Sequence, residues 1–171
     1  MTPDTQPPVS PRTEVRLRPA AAEDVPELRR LYRNAILATG PAGYGPDAVA
    51  AWAEFAGDAS AFGRFVLESR TWVAVAGGGE AAGFAGLGAE GYVASLYVAP
   101  RHARRGVASL LLAHLLAVGR GEGVRRFHAA ASIVSLPVFL RFGFSVAGEE
   151  TVERQGVPLL RYRVVLEESS E

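Results

Sequence analysis

The first clear pattern in the chain is an alternating strand followed by an amphipathic helix. In TEVRLRPA, Val15 and Leu17 alternate with arginines, as in a half-buried strand. We expect Asp24 and Glu27 to cap the next segment, AAEDVPELRRLYRNAILATG, and Gly40 to end it. The apolar residues of this segment have helical spacing; they are Val25, Leu28, Leu31, Tyr32, Ala35 and Ile36.

Two further helical segments and three strands follow. The segment Pro46 to Phe55 carries Val49 and Trp52 on one side, and a shorter segment lies around Phe62 to Phe65. The stretches TWVAVA and EAAGFAGLG flank a run of three glycines, which predicts a β-hairpin. The stretch GYVASLYVAP predicts another strand, which ends at Pro100.

The most regular helical pattern follows the loop RHARRG. We expect Gly119 and Gly121 to stop this helix. The residues expected to face inward are Val107, Leu110, Leu111, Leu115 and Val118. Beyond it, RRFHAAAS, GFSVAGEETVE and VPLLRYRVVL predict strands, and SLPVFLRF predicts a short helix. This order of elements indicates a mixed α/β sheet with helices on both faces.

Composition narrows the classes of protein and of chemistry. The 171 residues suit one domain, which we expect to span residues 13–171 after a disordered, proline-rich lead-in at residues 1–12. All 18 basic residues are arginine and balance 18 acids, so nothing attracts nucleic acid or an anionic membrane. The lack of lysine and cysteine excludes Schiff-base and thiolate chemistry. We expect no metal site and, without a signal or membrane segment, a cytoplasmic protein.

The loop RHARRG and the start of the next helix have the features of an anion site. The first N–H groups of a helix lack intrahelical partners and lie at the positive end of its dipole. Gly106 and Ala108 allow close approach of a phosphate, and Arg104 and Arg105 add charged donors. The loop is neither a Walker motif nor a dinucleotide-binding glycine motif. It fits a pyrophosphate site of a third kind, with an ordinary solvated loop as the alternative.

Two motifs, LYVAPRHARRGVASLLLAHL and AASIVSLPVFLRFGF, together resemble the GNAT superfamily of acyl-CoA-dependent N-acyltransferases. The similarity extends from Glu14 to Leu166, and YGPDAVAAWA and ETVERQGVPLLRYRV resemble a bacterial subgroup of unknown acceptor. The resemblance implies a central, mostly antiparallel sheet that splays between its fourth and fifth strands, with helices on both faces. The splayed strands would be Tyr92 to Val98 and Phe127 to Ala131, and pantetheine would insert between them.

The same resemblance implies acetyl-CoA as the co-substrate. Backbone N–H groups of Arg104 to Ser109 would hold its pyrophosphate, and an N–H near Leu96 to Val98 would polarise the thioester carbonyl. The expected cofactor-binding residues are Leu96, Tyr97, Val98, Arg101, Arg104, Arg105, Gly106, Val107, Ala108, Ser109, Ser132 and Phe139.

Several positions depart from the family's pattern. Ala103 stands where relatives carry Gln or Arg, and Ser132 stands where they carry Asn. Ala94 and Ser95 replace the acid that often serves as general base, and Phe139 replaces the tyrosine that protonates the departing thiolate. An α-amino group, with a pKa of about 7.7, loses its proton more easily than a lysine-like amine of about 10.4. The missing base therefore favours an acceptor of low pKa, or a water chain to a distant carboxylate.

The candidates for a catalytic role lie on or beside the splayed strand; they are Ser95, Glu90 and Tyr97. Ser95 is near the expected acetyl position, and Glu90 could act through water. Among the histidines, we expect His102 and His114 at the surface and His128 in the core.

The leading hypothesis is an N-acetyltransferase that moves an acetyl group from acetyl-CoA to a primary amine of a small molecule or peptide, by direct attack in a ternary complex. The acceptor would lie beneath the N-terminal helices and the VERQGVPL hairpin, near Tyr32, Tyr44, Trp52 and Phe55. One alternative is a non-catalytic acyl-CoA-binding sensor or interaction module, which the missing acid and base favour. Another is a small nucleotide-binding domain. Relatives are often dimers, so a homodimer is a further expectation.

Overall fold

The computed structural model describes residues 14–169, so the predicted lead-in at residues 1–12 lies outside the described residues. The strands in this range are β1 (Val15–Pro19), β2 (Arg70–Ala76), β3 (Ala81–Leu87), β4 (Val93–Val98), β5 (Arg126–Ala131), β6 (Ser145–Arg154) and β7 (Val157–Glu167). The helices are α1 (Val25–Thr39), α2 (Pro46–Ala53), α3 (Ala59–Leu67), α4 (Val107–Gly121) and α5 (Leu136–Arg141).

The strands form two antiparallel sheets that diverge from each other. The first sheet has the order β1-β2-β3-β4 and the second the order β5-β7-β6. Their only strand pairing within residues 14–169 is one parallel bridge between Tyr92 and His128, at the start of β4 and of β5. We call the gap between β4 and β5 beyond this bridge the cleft. The expected splay between the fourth and fifth strands is confirmed.

Apolar residues pack on both faces of the sheets, because neighbouring strand positions point to opposite sides. On one face, α1, α2 and α3 bury a core that includes Leu28, Phe62 and Phe84. On the other, α4 and α5 bury a core that includes Leu111 and Phe127. The prediction of helices on both faces is therefore confirmed.

The α4 helix differs from its predicted pattern in two respects. Leu110 is 41% exposed, and the buried face includes Leu112 and Leu116 instead. Gly119 does not stop the helix, which continues to Gly121. A Cβ at Gly119 would lie only 2.5 Å from the Phe127 ring, so this glycine lets α4 pack closely on β5.

The predicted cap of α1 is also wrong. The side chain of Asp24 makes no cap hydrogen bond to α1. Its carboxylate instead accepts two bonds from Arg18, at 2.7 and 2.8 Å, and one from the backbone N–H of Ala21. Glu27 accepts a 2.9 Å bond from the N–H of Ala81. Both carboxylates therefore fasten α1 to the sheet rather than capping it.

The second helical segment ends earlier than predicted, at Ala53, and continues as a 3-10 turn over Glu54–Gly57. The third helix, α3, is longer than the predicted segment around Phe62 to Phe65. No helix in the described residues is long and apolar enough to span a membrane.

Candidate active site

The start of α4 carries the geometry expected of an anion site. Gly106 has a φ of 82°, a left-handed conformation that glycine adopts without strain. The first helical bond runs from the N–H of Leu110 to the carbonyl of Gly106, at 3.0 Å. The N–H groups of the three residues between them have no partner inside the helix, and no acidic side chain stands in this turn. The positive end of the α4 dipole is thus left uncompensated by carboxylates of its own first turn.

The loop before α4 adds positive charge. Arg104 has a φ of 60°, which is uncommon outside glycine, and both Arg104 and Arg105 are exposed. Val107 is buried, whereas Ala108 and Ser109 are half-buried in the first turn. The predicted cofactor-binding positions 104–109, apart from the buried Val107, therefore form one surface at this helix end.

One wall of the cleft is the edge of β4. The N–H of Ala99 donates to the carbonyl of Ala82 on β3, at 2.8 Å. Because N–H groups alternate in direction along an antiparallel ladder, those of Leu96 and Val98 point away from β3. On that side β4 has no ladder partner among the described residues. Two predicted positions thus present backbone donors to the cleft.

The other wall of the cleft includes the segment between β5 and α5. The hydroxyl of Ser132 accepts a 3.0 Å bond from the N–H of Ser135, and the hydroxyl of Ser135 accepts one from the N–H of Ser132. Phe139 is buried, with its ring centroid 5.1 Å from that of Phe144. Ser132 therefore shapes the start of α5 locally, and Phe139 contributes to the core.

Tyr97 lies in a cluster of aromatic rings on the α1 side of β4. Its ring centroid is 4.6 Å from that of Tyr32, 5.5 Å from that of Phe84 and 6.4 Å from that of Trp52. Burial raises the pKa of Tyr97 to about 12, although hydrogen bonds with Trp52 and Tyr32 and, less strongly, the charge of Arg154 lower it. Burial also raises the pKa of Tyr32 well above its usual range. Both hydroxyls therefore keep their protons at neutral pH.

The other two catalytic candidates are Ser95, two residues before Tyr97 on β4, and Glu90. Ser95 is buried opposite Gly86, and a Cβ built on Gly86 would lie 3.0 Å from both the Ser95 and the Thr71 hydroxyls. The Ser95 hydroxyl therefore lies on the same face of the first sheet as that of Thr71, which donates to the carbonyl of Val66 in α3. Glu90 is exposed, in the turn Ala89–Gly91 that precedes β4.

The predicted surface positions of two histidines are wrong. His102 is only 5% exposed, and its Nε2 lies 3.3 Å from a carboxylate oxygen of Glu80 in the β2–β3 turn. His114 is half-buried, with its ring centroid 4.2 Å from that of Trp72. These burials depend on partners that are distant in sequence, which the local pattern around each histidine does not reveal.

The Glu80 carboxylate also organises the region beside the helix start. Its pKa is lowered by a hydrogen bond from its own backbone N–H and by the nearby charges of Arg101 and His102. Arg101, predicted to bind cofactor, thus lies by the β2–β3 turn. Sequence reasoning missed this contact, because nothing in the turn's glycine-rich pattern distinguishes Glu80.

His128 is half-buried rather than enclosed in the core. Its ring centroid is 5.1 Å from that of Tyr92 at the closed end of the cleft.

Tyr44 joins three segments around the cleft. Its hydroxyl accepts a 2.9 Å bond from the N–H of Ile133 and donates a 2.7 Å bond to the carbonyl of Leu160 on β7. Its ring contacts that of Trp52 edge-on, with centroids 5.6 Å apart. The sequence predicts Tyr44 near the acceptor, but it does not indicate these hydrogen bonds to two other segments.

The described residues contain no group of three or more His, Cys, Asp or Glu side chains that could hold a metal ion.

Comparison with known proteins gives a consistent match. The model of the acetyltransferase (GNAT) domain matches residues 42–166. The chain is 30% identical over 142 residues to YafP of Escherichia coli, named as an uncharacterized N-acetyltransferase, and the match covers 83% of this chain and 89% of YafP.

Solved structures share the fold. A GCN5-related N-acetyltransferase of Rhodopseudomonas palustris is 24% identical with a TM-score of 0.86, over 90% of this chain and 95% of that one. The PaiA N-acetyltransferase of Thermoplasma acidophilum, solved in complex with coenzyme A, is 15% identical with a TM-score of 0.72, over 90% of this chain and 99% of that one.

Proposed function

The chain belongs to the GNAT family of acetyltransferases, and we propose that it moves an acetyl group from acetyl-CoA to a primary amine of a small molecule or peptide. The observation that carries this proposal is the continuity between the unpartnered N–H groups at the start of α4 and the open edge of β4. A phosphate-binding helix end and a free strand edge together fit a ligand with a pyrophosphate at one end and an amide-containing arm.

The helix end accounts for the phosphate half of this ligand. Backbone N–H groups over residues 104–109 hold the pyrophosphate, and Arg104 and Arg105 add charge. The small side chains of Gly106 and Ala108 keep the approach open. Ala103 removes one side-chain contact that relatives have, so backbone donors carry more of the binding.

The open edge of β4 accounts for the pantetheine half. Its amides pair with the backbone of Leu96 and Val98 as an added strand would. One of these N–H groups also donates to the thioester carbonyl and stabilises the negative charge that develops when the amine attacks. Ser132 and Phe139 line or support the opposite wall.

The amine attacks the acetyl group directly in a ternary complex. The chain has no cysteine or lysine that could carry an acetyl-enzyme, and among the described residues no histidine or carboxylate is hydrogen-bonded to the buried Ser95 to activate it. Tyr97, with a pKa of about 12, keeps its proton and acts as a hydrogen-bond donor rather than as a base. Glu90 could reach the site only through water.

The acceptor lies on the α1 side of β4. The rings of Tyr32, Trp52 and Tyr97 are packed together there, and Arg154 at the end of β6 is close enough to affect both tyrosine hydroxyls. The β6–β7 hairpin also contacts α2. This arrangement surrounds the acceptor with aromatic surface and one positive charge.

A thermal melt with saturating acetyl-CoA tests the binding step. At about 100 times the dissociation constant, binding contributes roughly 2.7 kcal/mol, which raises Tm by several degrees. Gly106→Glu should abolish this shift, because it places a carboxylate at the phosphate position. Gly123→Glu is the matched control: Gly123 has a φ of 84° against 82° for Gly106, and neither has an atom within 4 Å of a built Cβ.

Both variants carry the same backbone strain and the same added charge, so the ligand-induced shift is compared rather than Tm itself. No shift in the wild type, or equal shifts in both variants, would refute the proposed site. Release of free thiol with a panel of amines and peptides then tests transfer. Binding without release in any mixture would favour the sensor alternative.

A further inference from the structure

A histidine with no hydrogen-bond partner stands at the closed end of the cleft. Tyr92 and His128 form the only bridge between the two sheets in the described residues, and their rings are in contact at 5.1 Å. Within residues 14–169, neither imidazole nitrogen of His128 makes a hydrogen bond or an ion pair. Neither nitrogen is completely buried. The imidazole is thus held in place by the Tyr92 ring while its nitrogens are free to bind water.

The imidazole lies on the acceptor side of the sheets. Phe127 and Ala129, its neighbours on β5, face the core under α4. Because side chains alternate along a strand, His128 faces the opposite side, where α1, α2 and α3 pack. Tyr97 faces that same side, and the charge of Tyr92 contributes to the raised pKa of Tyr97. Tyr92, Tyr97 and His128 therefore lie on this same side of the sheets, along the cleft.

The groups that face His128 come from several elements. Tyr92 contacts its ring, and the turn Ala89–Gly91 that carries Glu90 packs against β5. On its own strand stands Arg126, which is ion-paired with Glu167 on β7. Opposite His128 on β7 is Val165, and Arg163 is paired with Ala130. Two arginines and two carboxylates thus lie on the elements around the imidazole, and none of them makes an ion pair with it among the described residues.

The other candidates for a base are unsuited to that role. The raised pKa of Tyr97, about 12, keeps its hydroxyl protonated at neutral pH, and Ser95 is buried with a hydroxyl that cannot act as a base alone. Glu90 is exposed in the turn outside the cleft. An imidazole changes protonation near neutral pH, where a general base is most effective.

We propose that His128 accepts the proton that the acceptor's ammonium group must lose, acting through water, and that Tyr92 positions its ring. This inference rests on the proposed function. Leu96 is four residues beyond Tyr92 on β4, which at about 3.3 Å per residue is roughly 13 Å, so the proton moves along water rather than by direct contact.

The protons and electrons balance as follows. The ammonium gives one proton to His128, and the amine lone pair then forms the C–N bond to the acetyl carbon. The C–S bond breaks with its electron pair on sulfur, and the second proton of the nitrogen passes to the thiolate. His128 returns its proton to solvent, so the net products are the acetamide, the free thiol and one proton.

The test is the pH dependence of kcat in His128→Asn, with His114→Asn as the matched control. His114 is the other half-buried histidine, and it packs on Trp72 under α4. In the wild type and the control, the pH profile of kcat should have an acid limb, a fall in kcat as the pH drops, because a required base takes up a proton. In His128→Asn that limb should be absent, kcat at pH 7 should fall about 100-fold, and KM for acetyl-CoA should stay unchanged.

Two further measurements separate proton transfer from a structural role. An acceptor amine that is already neutral at the assay pH should lose less than about 10-fold in the variant. Added imidazole should restore part of the activity of His128→Asn but should not affect the control. His128→Gln is the second variant if the Asn variant unfolds, as judged by its melt and its acetyl-CoA shift.

The inference is overturned if His128→Asn keeps both the acid limb and a kcat within about threefold of wild type, or if kcat falls equally at every pH and for every amine. If Glu90→Gln loses the acid limb of the kcat profile and His128→Asn keeps it, Glu90 is the base, and the inference about His128 is also overturned. Failure of the wild type to acetylate any amine would refute the proposed function itself, and this inference with it.

Discussion

The Nε2 atom of His102 lies 3.3 Å from a carboxylate oxygen of Glu80, which joins the loop before α4 to the turn between β2 and β3. His102 is only 5% exposed, so its ring is also part of the packing under this loop. The position of the proposed phosphate-binding segment therefore depends on a contact outside the cleft.

We expect His102→Ala to lower the free energy of unfolding by about 2 kcal/mol, because it leaves a cavity and removes the contact to Glu80. The loop should also lose its fixed position, and the Kd for acetyl-CoA should rise. Urea unfolding and isothermal titration calorimetry measure the two effects. His114→Ala is the control, since it removes a histidine ring from Trp72 and should leave Kd unchanged. An unchanged Kd in His102→Ala would contradict the positioning role.

Two glycines in the last turn of α4 should respond in opposite ways to alanine. A Cβ at Gly119 would lie 2.5 Å from Phe127, whereas one at Gly121 would meet nothing within 4 Å. Gly119→Ala should destabilise the protein by about 1 to 3 kcal/mol, because α4 must move away from β5. Gly121→Ala should be neutral or stabilise it by up to about 1 kcal/mol through helix propensity. Similar unfolding midpoints for the two variants would show that α4 does not pack this closely.

The ion pair between Arg18 and Asp24 should make stability depend on pH. The hydrogen bonds from Arg18 hold the pKa of Asp24 below its usual value. A carboxylate with a lowered folded-state pKa stabilises the protein above its unfolded value of about 3.9, and this contribution is lost as the pH falls through the folded value.

Asp24→Asn should therefore lower the free energy of unfolding by about 1 kcal/mol at pH 7. The effect is small for an ion pair because Arg18 is partly exposed to solvent. The difference from wild type should shrink below about pH 4. Chemical unfolding of both proteins at pH values from about 3 to about 7 measures this difference in free energy, because the range brackets the unfolded pKa of about 3.9. A difference that stays constant over this range would exclude the ion pair as its source.

The hydroxyl of Tyr44 should control the local stability of the segment after β5. Tyr44→Phe removes bonds to Ile133 and Leu160, and it should cost about 1 to 2 kcal/mol. Hydrogen exchange at the Ile133 amide should accelerate by more than the exchange of the β2–β3 ladder. Tyr162→Phe is the control, since the Tyr162 hydroxyl makes no hydrogen bond among residues 14–169. Equal acceleration in the two variants would contradict a specific role for Tyr44.

Local patterns predicted the elements well because strand and helix periods are properties of neighbouring residues. The αL glycine at the start of α4 was predictable for the same reason, since Gly106 stands between a strand and a helix. Contacts across the chain were not predictable. An aspartate is a typical helix-cap residue, but Asp24 bonds to Arg18 instead. A histidine is polar enough for the surface, but His102 is buried beside Glu80.

The candidate site shows the same division. The backbone donors of Leu96 and Val98 follow from strand alternation, and the sequence placed them correctly on the splayed strand. The free imidazole of His128 depends on where the two sheets meet and on the Tyr92 ring that contacts it. The residues next to His128 encode neither the meeting point of the two sheets nor the contact with Tyr92. The predicted place of His128 in the core therefore followed from its apolar neighbours alone.

The divergence of β4 from β5 has a consequence for how the protein avoids other chains. A strand edge with free N–H and C=O groups is a template for aggregation, and proteins usually shorten, charge or cover such edges. Here the edge of β4 is in the interior, with α1 on one side and α4 on the other. A neighbouring polypeptide would have to pass between two helices to pair with it. The protein can thus leave this edge of β4 without a strand partner and still keep it from pairing with the strand of another chain.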